Sequence, residues 1–415
     1  MSVPAAATQH QALALLSAEA VRERAGRMLD IGLRGGLAHF TIDLDRMDAV
    51  ADAVLAVTRK AYSTLDIPFH ARWRHFVIGG ADRWAVKAEA ASWPDRAARA
   101  RAEFDLAIVS VLLDAGAGPT WRYRDDVTGQ SIGRSEGLAL ASLDMFASGA
   151  FSAEARDPFR VDADVIASLP LARLQAGFQV TDANPMVGLA GRADLLRRLG
   201  RLLAARPDVF ALADRPRPGG LFDRLAAHAR KGVIAAPAIL AEVLQQLGPI
   251  WPSRLSLAGI PLGDCWRHPA LKMGDATDGL VPLHKLSQWL SYSLIEPLQR
   301  AGLEVTDIDG LTGLAEYRNG GLFVDLDVLR LRDPEDKERA HEVDSTLVVE
   351  WRALTVALLD LLATRIRTRL DRSAEELPLA SILEGGTWAA GRAAAFARRA
   401  DGAPPLKVIS DGTVF

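Results

Sequence analysis

Apolar positions recur at helical spacing along most of the chain. Stretches at 11–30, 44–64, 95–115, 134–148, 190–204, 235–247, 281–300, 341–370 and 378–400 all carry that period, which predicts amphipathic helices. Within 281–300 two stripes separate. Leu283, Leu286, Leu290 and Leu294 form one suited to a core, while Lys285, Gln288, Trp289 and Tyr292 fall at i, i+3, i+4 and i+7 on another. A helix with one apolar stripe and one stripe of ammonium, amide and aromatic groups suits the wall of a pocket. The bland alternative is a wet face with a routine tyrosine. Pro282 is placed for a first helical turn. Strand-like stretches are few and short: 37–43, 75–78, and the terminal LKVISDGTVF with its Asp411-Gly412 turn. Because strands do not alternate with helices, the pattern predicts a mainly α, multi-helical fold rather than a doubly wound sheet. Pro/Gly-rich loops at 205–220 and 248–280 are too short and apolar for free tethers. They are read as connecting two helical subdomains that share one core.

Composition narrows the function classes. The 415 residues are 49% hydrophobic and 24% charged, which is normal for a soluble globular protein. A net charge of −3 provides no field for nucleic acid or for an anionic membrane. No window approaches the length of a membrane span, and the N-terminus lacks the basic and apolar regions of a secretory signal. The single Cys265 rules out an internal disulfide and fits a reducing compartment, so a cytoplasmic protein is expected.

Four places could carry chemistry. Glu316, Tyr317 and Arg318 sit directly before Asn319-Gly320-Gly321, so a carboxylate, a phenol and a guanidinium gather at a glycine turn. Glu350 falls on the apolar stripe Val343, Leu347, Leu354 and Leu358, where an ionised carboxylate needs a partner. It reads either as a strut to an arginine such as Arg352 or as a pocket acid. The loop 114–137 holds Trp121, Arg122, Tyr123, Arg124 and Arg134, with Ser135 placed to cap a helix near Glu136. Guanidinium groups beside a helix start suit a phosphate or carboxylate, and an ordinary basic surface loop is the competing reading. Residues 70–84 mix two histidines, two tryptophans and three arginines, a cluster fit for stacking on a base or sugar or for an aromatic core. His70 and His75 stand five apart, and Cys265 with His268 lacks two further ligands nearby, so no metal is expected. No nucleophile elbow or phosphate-binding loop is present, and no cofactor is expected.

The stretches RWRHFVIGGADRW, LLDAGAGPTWRYRD, GLVPLHKLSQWLSYSLIEPL, LTGLAEYRNGGLF, LVVEWRALTVALLD, LEGGTWAAGR and SDGTVF together resemble the uracil-catabolism family. This is the family of the fourth protein of the fungal and bacterial URC pathway, also called Urg3-like, and the match runs from about residue 65 to the last residue. The resemblance implies a pathway that converts uracil to its nucleotide, opens the ring, and releases urea through a ribosylurea-type intermediate. A ring-opening enzyme similar to GTP cyclohydrolase II acts alongside. The layout HKLSQWL…LTGLAEYRNGGLF is also similar to the queuosine 5′-phosphate nucleosidase (queuosine salvage) family. That family is all-helical, related to DNA glycosylases, and cleaves an N-glycosidic bond of a ribosyl 5′-phosphate. By this second resemblance Glu316 takes the place of the acid in Ala-Asp-Tyr-Arg, and Tyr317 and Arg318 match directly. Lys285 and Gln288 match the Lys and Gln of Lys-Arg-Ala-Gln, while Trp388 and the C-terminal segment correspond to the last helix and tail. Two departures stand: Glu replaces Asp at 316, and Asn-Gly-Gly replaces Leu-Pro-Gln after Arg318.

The resemblance thus implies a DNA-glycosylase-like helical core over 66–415, preceded by an N-terminal helical segment at 1–65. The expected activity is hydrolysis of ribosylurea, or its 5-phosphate, to urea and ribose or ribose phosphate. Such a reaction passes through an oxocarbenium-like transition state. Glu316 would stabilise that charge and direct water, and Glu350 would serve as the second acid. Arg318 and Lys285 would hold a phosphate or steer Glu316, Gln288 would bond a hydroxyl or the urea, and Trp289 or Trp351 would wall the sugar. Arg134 and Trp388 complete the expected binding set, and the tail Ser410–Phe415 is expected to line the pocket. An amide hydrolase acting on the opened ring, and a non-catalytic nucleotide sensor or scaffold partnered with pathway enzymes, are the alternatives. Oligomeric state is left open.

Overall fold

The computed structural model describes residues 5–114, 116–213, 215–251 and 255–409. Its frame is helical, as the periodicity predicts. The 25-residue helix Thr346–Leu370 runs along Ala18–Leu33 and Met47–Ala61 and also carries the short helix Tyr317–Asp325. Lys285–Arg300 lies against Arg96–Leu112 and Ala236–Leu247, and Tyr317–Asp325 crosses the last helix, Trp388–Arg398. One continuous body of buried apolar side chains extends from Leu16 to Leu406. A smaller cluster around Leu15, Leu262, Cys265 and Leu280 seals the first helix against the loop after 255. No helix among the described residues is long and apolar enough to cross a membrane.

Local chemistry explains where the helices differ from the period. The stretch 11–30 divides at Ser17, whose hydroxyl accepts the Ala20 amide at 3.2 Å and starts a fresh helix at Ala18. The stretch 281–300 also begins late. Leu280–Pro282 is a strand paired with Cys265–Arg267, and His284 takes a left-handed φ of +47°, so the helix opens at Lys285 and Pro282 lies outside its first turn. Similarly, Ser345 caps a helix that starts at Thr346, five residues inside the expected span. Inside Lys285–Arg300, Pro297 has no amide hydrogen for the Ser293 carbonyl, and the Trp73 indole donates to that carbonyl at 2.7 Å instead. The aromatic-rich 70–84 segment is thereby fastened to the helix below it.

The described strands pair only in twos. Phe40–Ile42 runs antiparallel to Leu329–Leu331, with Phe40 opposite Leu331. Val233–Ala235 lies parallel to Glu304–Thr306. The C-terminal strand Lys407–Ile409 lies parallel to Ala340–Glu342. The Asp411-Gly412 turn and the tail Ser410–Phe415 lie outside the described residues. These ladders are too short to form a layer and serve as clasps between helices.

Candidate functional site

The start of Lys285–Arg300 is fixed from below. Asp264 accepts the Lys285 amide at 2.9 Å and binds both terminal nitrogens of Arg352 at 2.7 and 2.8 Å. Burial alone would raise the Asp264 carboxyl, but Arg352, the Trp266 indole and the Lys285 amide hold it down at about 2. The Lys285 side chain turns into a cavity of about 470 Å³, a size ordinary for a small-molecule site. Its ammonium lies 5.8 Å from the Trp289 ring centre and makes no hydrogen bond or ion pair with a described residue. Burial pushes its pKa down, with Glu316 opposing.

Glu316 lines the same cavity. It is the N-cap of Tyr317–Asp325, accepting the Arg318 amide at 2.8 Å on one oxygen and the Asn319 amide on the other. This explains the order of the motif. The acid must directly precede the helix to collect both amides, and glycines must follow so the helix can approach its neighbours. A Cβ on Gly320 would strike Trp351 and Thr355 at 2.7 Å. Burial raises the Glu316 carboxyl above its ordinary value, against the pull of Lys285 and the two amides. A buried acid and a buried base, each disfavoured in its charged form, thus share one cavity. Arg318 donates from Nη1 to the Gly402 carbonyl at 2.7 Å and lies 5.0 Å from the Tyr317 ring. Burial, then Glu316, raises the Tyr317 phenol.

The rest of the wall comes from distant parts of the chain. Arg134 reaches the rim from a residue with φ +56°, and its guanidinium makes no hydrogen bond or ion pair with a described residue. Ser135 donates to Asp114 at 3.1 Å, and fully buried Arg72 holds the other Asp114 oxygen at 2.8 Å. The helix cap there is Gly133, so Ser135 is not the cap the sequence suggests. His70 and His75 line a third side beside Trp289. Burial, then Arg72 and His70, pushes His75 down to about 3, which keeps it neutral. Trp388 and Asp401–Pro404 close the cavity.

The structure therefore brings Lys285, Trp289, Glu316, Tyr317, Arg318, Arg134 and Trp388 together on one cavity. Gln288, Trp351 and Glu350 stand elsewhere. Gln288 is buried and accepts the Thr312 amide at 3.3 Å. Trp351 is buried under Gly320. Glu350 satisfies both oxygens on the amides of Ala38 and His39 at 3.0 Å, with His268 Nε2 at 3.1 Å. Its partners are these groups, not Arg352, which belongs to Asp264. His70, His75, Asp114, Ser135 and Asp401 join the site without having been expected there. The sequence signals for the first four are only the mixed polar and aromatic run HARWRHF and the basic loop 114–137, and nothing marks Asp401. Among the described residues, no group of three or more His, Cys, Asp or Glu side chains is arranged to hold a metal ion.

Comparison with known proteins extends over nearly the whole chain. A sequence family described as "Protein of unknown function (DUF1688)" matches residues 14–415. Protein urg3 of Schizosaccharomyces pombe is 40% identical over 413 residues, covering 97% of this chain and 98% of that protein. Uracil catabolism protein 4 of Lachancea kluyveri is 38% identical over 411 residues, covering 91% of this chain and 92% of that one.

Proposed function

Because the chain belongs to the DUF1688 family, and the Lachancea kluyveri relative is named for uracil catabolism, we propose that it serves that pathway as a hydrolase. Its substrate would be a ribosyl N-glycoside of the ring-opened pyrimidine, with ribosylurea 5-phosphate as the leading compound and urea and ribose 5-phosphate as products. The observation that carries this reading is Glu316, a buried carboxylate sharing a cavity of substrate size with Lys285, whose ammonium makes no hydrogen bond or ion pair with a described residue.

Cleaving the glycosidic bond leaves positive charge on the sugar, and a fixed carboxylate in a sheltered site stabilises it. Each Glu316 oxygen accepts one backbone amide and keeps a second lone pair for a water. A carboxylate raised toward neutrality is the stronger base for that water. Lys285 supports the ionised form when Glu316 must be charged. Trp289 and Trp388 supply flat apolar walls for the sugar. Arg134 offers the rim cation for a 5′-phosphate, and Arg318 with Tyr317 ties Glu316 to the segment around Gly402.

The test is incubation of the purified protein with ribosylurea and with its 5-phosphate, following urea and ribose phosphate by mass spectrometry. Urea release that disappears in Glu316→Gln supports the glycosidase and chooses between the two compounds. A trimmed ureide still attached to ribose would instead mark an amide hydrolase. Binding without any product would mark a sensor or scaffold.

A further inference from the structure

The glycosidase reading leaves one chemical need unmet. Urea is a poor leaving group unless its departing nitrogen is protonated, and Glu350 lies away from the cavity. On the cavity wall, His70 Nδ1 lies 2.8 Å from Glu384 Oε2, and the other Glu384 oxygen accepts the Tyr62 hydroxyl at 3.2 Å. A carboxylate on Nδ1 keeps the proton on that nitrogen. It leaves Nε2 to accept a proton when the ring is neutral and to donate one when it is charged. Nε2 has no partner among the described residues, and the ring lies beside Trp289 with centres 6.3 Å apart.

Glu384 is set with care. It lies in a π-helical turn, Leu383–Thr387, between two short helical pieces, and such turns in other proteins often mark functional sites. The turn fits because Gly385 and Gly386 follow. A Cβ on Gly386 would meet Thr58 Oγ1 at 2.5 Å and the Val54 carbonyl at 2.8 Å on the adjacent helix. The backbone that follows Glu384 is therefore held close against the helix Met47–Ala61. Burial works to raise its carboxyl, yet His70 and Arg74 hold it below the usual range, so it stays an anion. The charged or titratable groups facing His70 are Glu384, Glu316, Lys285, His75, Arg72 and Arg74.

Resting on the glycosidase reading, we infer that His70 is the catalytic acid for the departing nitrogen and that Glu384, backed by Tyr62, is its positioning residue. In this step the C1′–N bond breaks and its electron pair passes to nitrogen, which takes the proton from His70 Nε2. The oxygen of water bonds to C1′, and the proton that water loses goes to Glu316. Glu316 then releases its proton and His70 regains one, so one water is consumed overall.

The experiment compares two ribosyl 5-phosphates, one bearing urea and one bearing 4-nitrophenolate, which departs without a proton. His70→Asn, whose amide can still reach Glu384, should lose about 10²–10⁴-fold on the urea compound and less than about 10-fold on the nitrophenyl one. Glu384→Gln, which no longer fixes the proton on Nδ1, should lose at least about 10-fold on the urea compound and little on the nitrophenyl one. Equal losses on both compounds in either variant, or full activity of His70→Asn, would overturn the assignment. A wild-type protein that cleaves neither compound overturns the glycosidase reading itself, and with it this one. The wild-type control therefore separates the two failures.

Discussion

Arg352 grips Asp264 through both terminal nitrogens, and Asp264 passes that restraint on by accepting the amide of Lys285. The second turn of the helix Thr346–Leu370 thus sets where the lysine helix begins. Asp264→Asn leaves the Arg352 guanidinium, 1% exposed, with weakened compensation, and should cost about 3 kcal/mol in a denaturation experiment. The same carboxylate gives a pH signature. Its folded value of about 2 lies below that of an unfolded aspartate, so its contribution is complete above about pH 4. It should be lost as pH falls toward 2, amounting to about 2 kcal/mol, and the Asn variant should lack that slope.

Glu316→Gln should cut turnover by at least ~10²-fold with the fold intact, read as product release beside a melting curve. The substitution has a structural cost as well. An amide can satisfy one of the two capped N–H groups but presents its own NH₂ to the other, so a stability loss of about 1 kcal/mol is expected. Near-normal rates in this variant would remove Glu316 from the chemistry.

Arg134→Ala should leave thermal stability unchanged, because the exposed guanidinium holds no described partner. KM should rise about tenfold for the phosphorylated substrate, the worth of one charge-assisted contact, and remain the same for ribosylurea. Equal effects on both compounds would place the phosphate elsewhere.

Gly391→Ala puts a methyl group against the Arg318 carbonyl, where the last helix crosses Tyr317–Asp325. One helix must move, so a loss of about 1–3 kcal/mol is expected, with a fall in activity because Arg318 and Glu316 share the displaced turn. An unchanged melting temperature would show that the crossing has slack.

Cys265 should resist alkylation in the native protein. Burial, and then the neighbouring Asp264, raises its thiol far from the reactive range. Rapid labelling without denaturant would contradict the packing of that cluster.

Much of this was legible in the chain because helices announce themselves locally. The period of Leu283, Leu286, Leu290 and Leu294 located the lysine helix, whereas Asn319-Gly320-Gly321, which the sequence suggests as a turn, lie inside the helix that Glu316 caps. Glu350 shows the limit. Its place on an apolar stripe signalled a bound carboxylate, but two of its three partners are backbone amides of Ala38 and His39, more than 300 residues earlier. An amide has no residue identity, so nothing in the sequence could name it. His70, Asp114 and Arg134 meet across the fold in the same way, through packing between helices that no local spacing records. The interruption of 378–400 by a π-turn is equally silent, since Gly385-Gly386 marks a close approach without saying to what.

The closing wall of the cavity decides how sheltered its acid and base are. Asp401–Pro404 are held by Arg318 on Gly402 and by Arg399, which bonds both Asp325 and the Ala403 carbonyl. Without those bonds the buried acid and base, Glu316 and Lys285, would stand in an open, wet groove rather than a sheltered cavity. The shelter of the reacting groups therefore hangs on two arginine–carbonyl bonds.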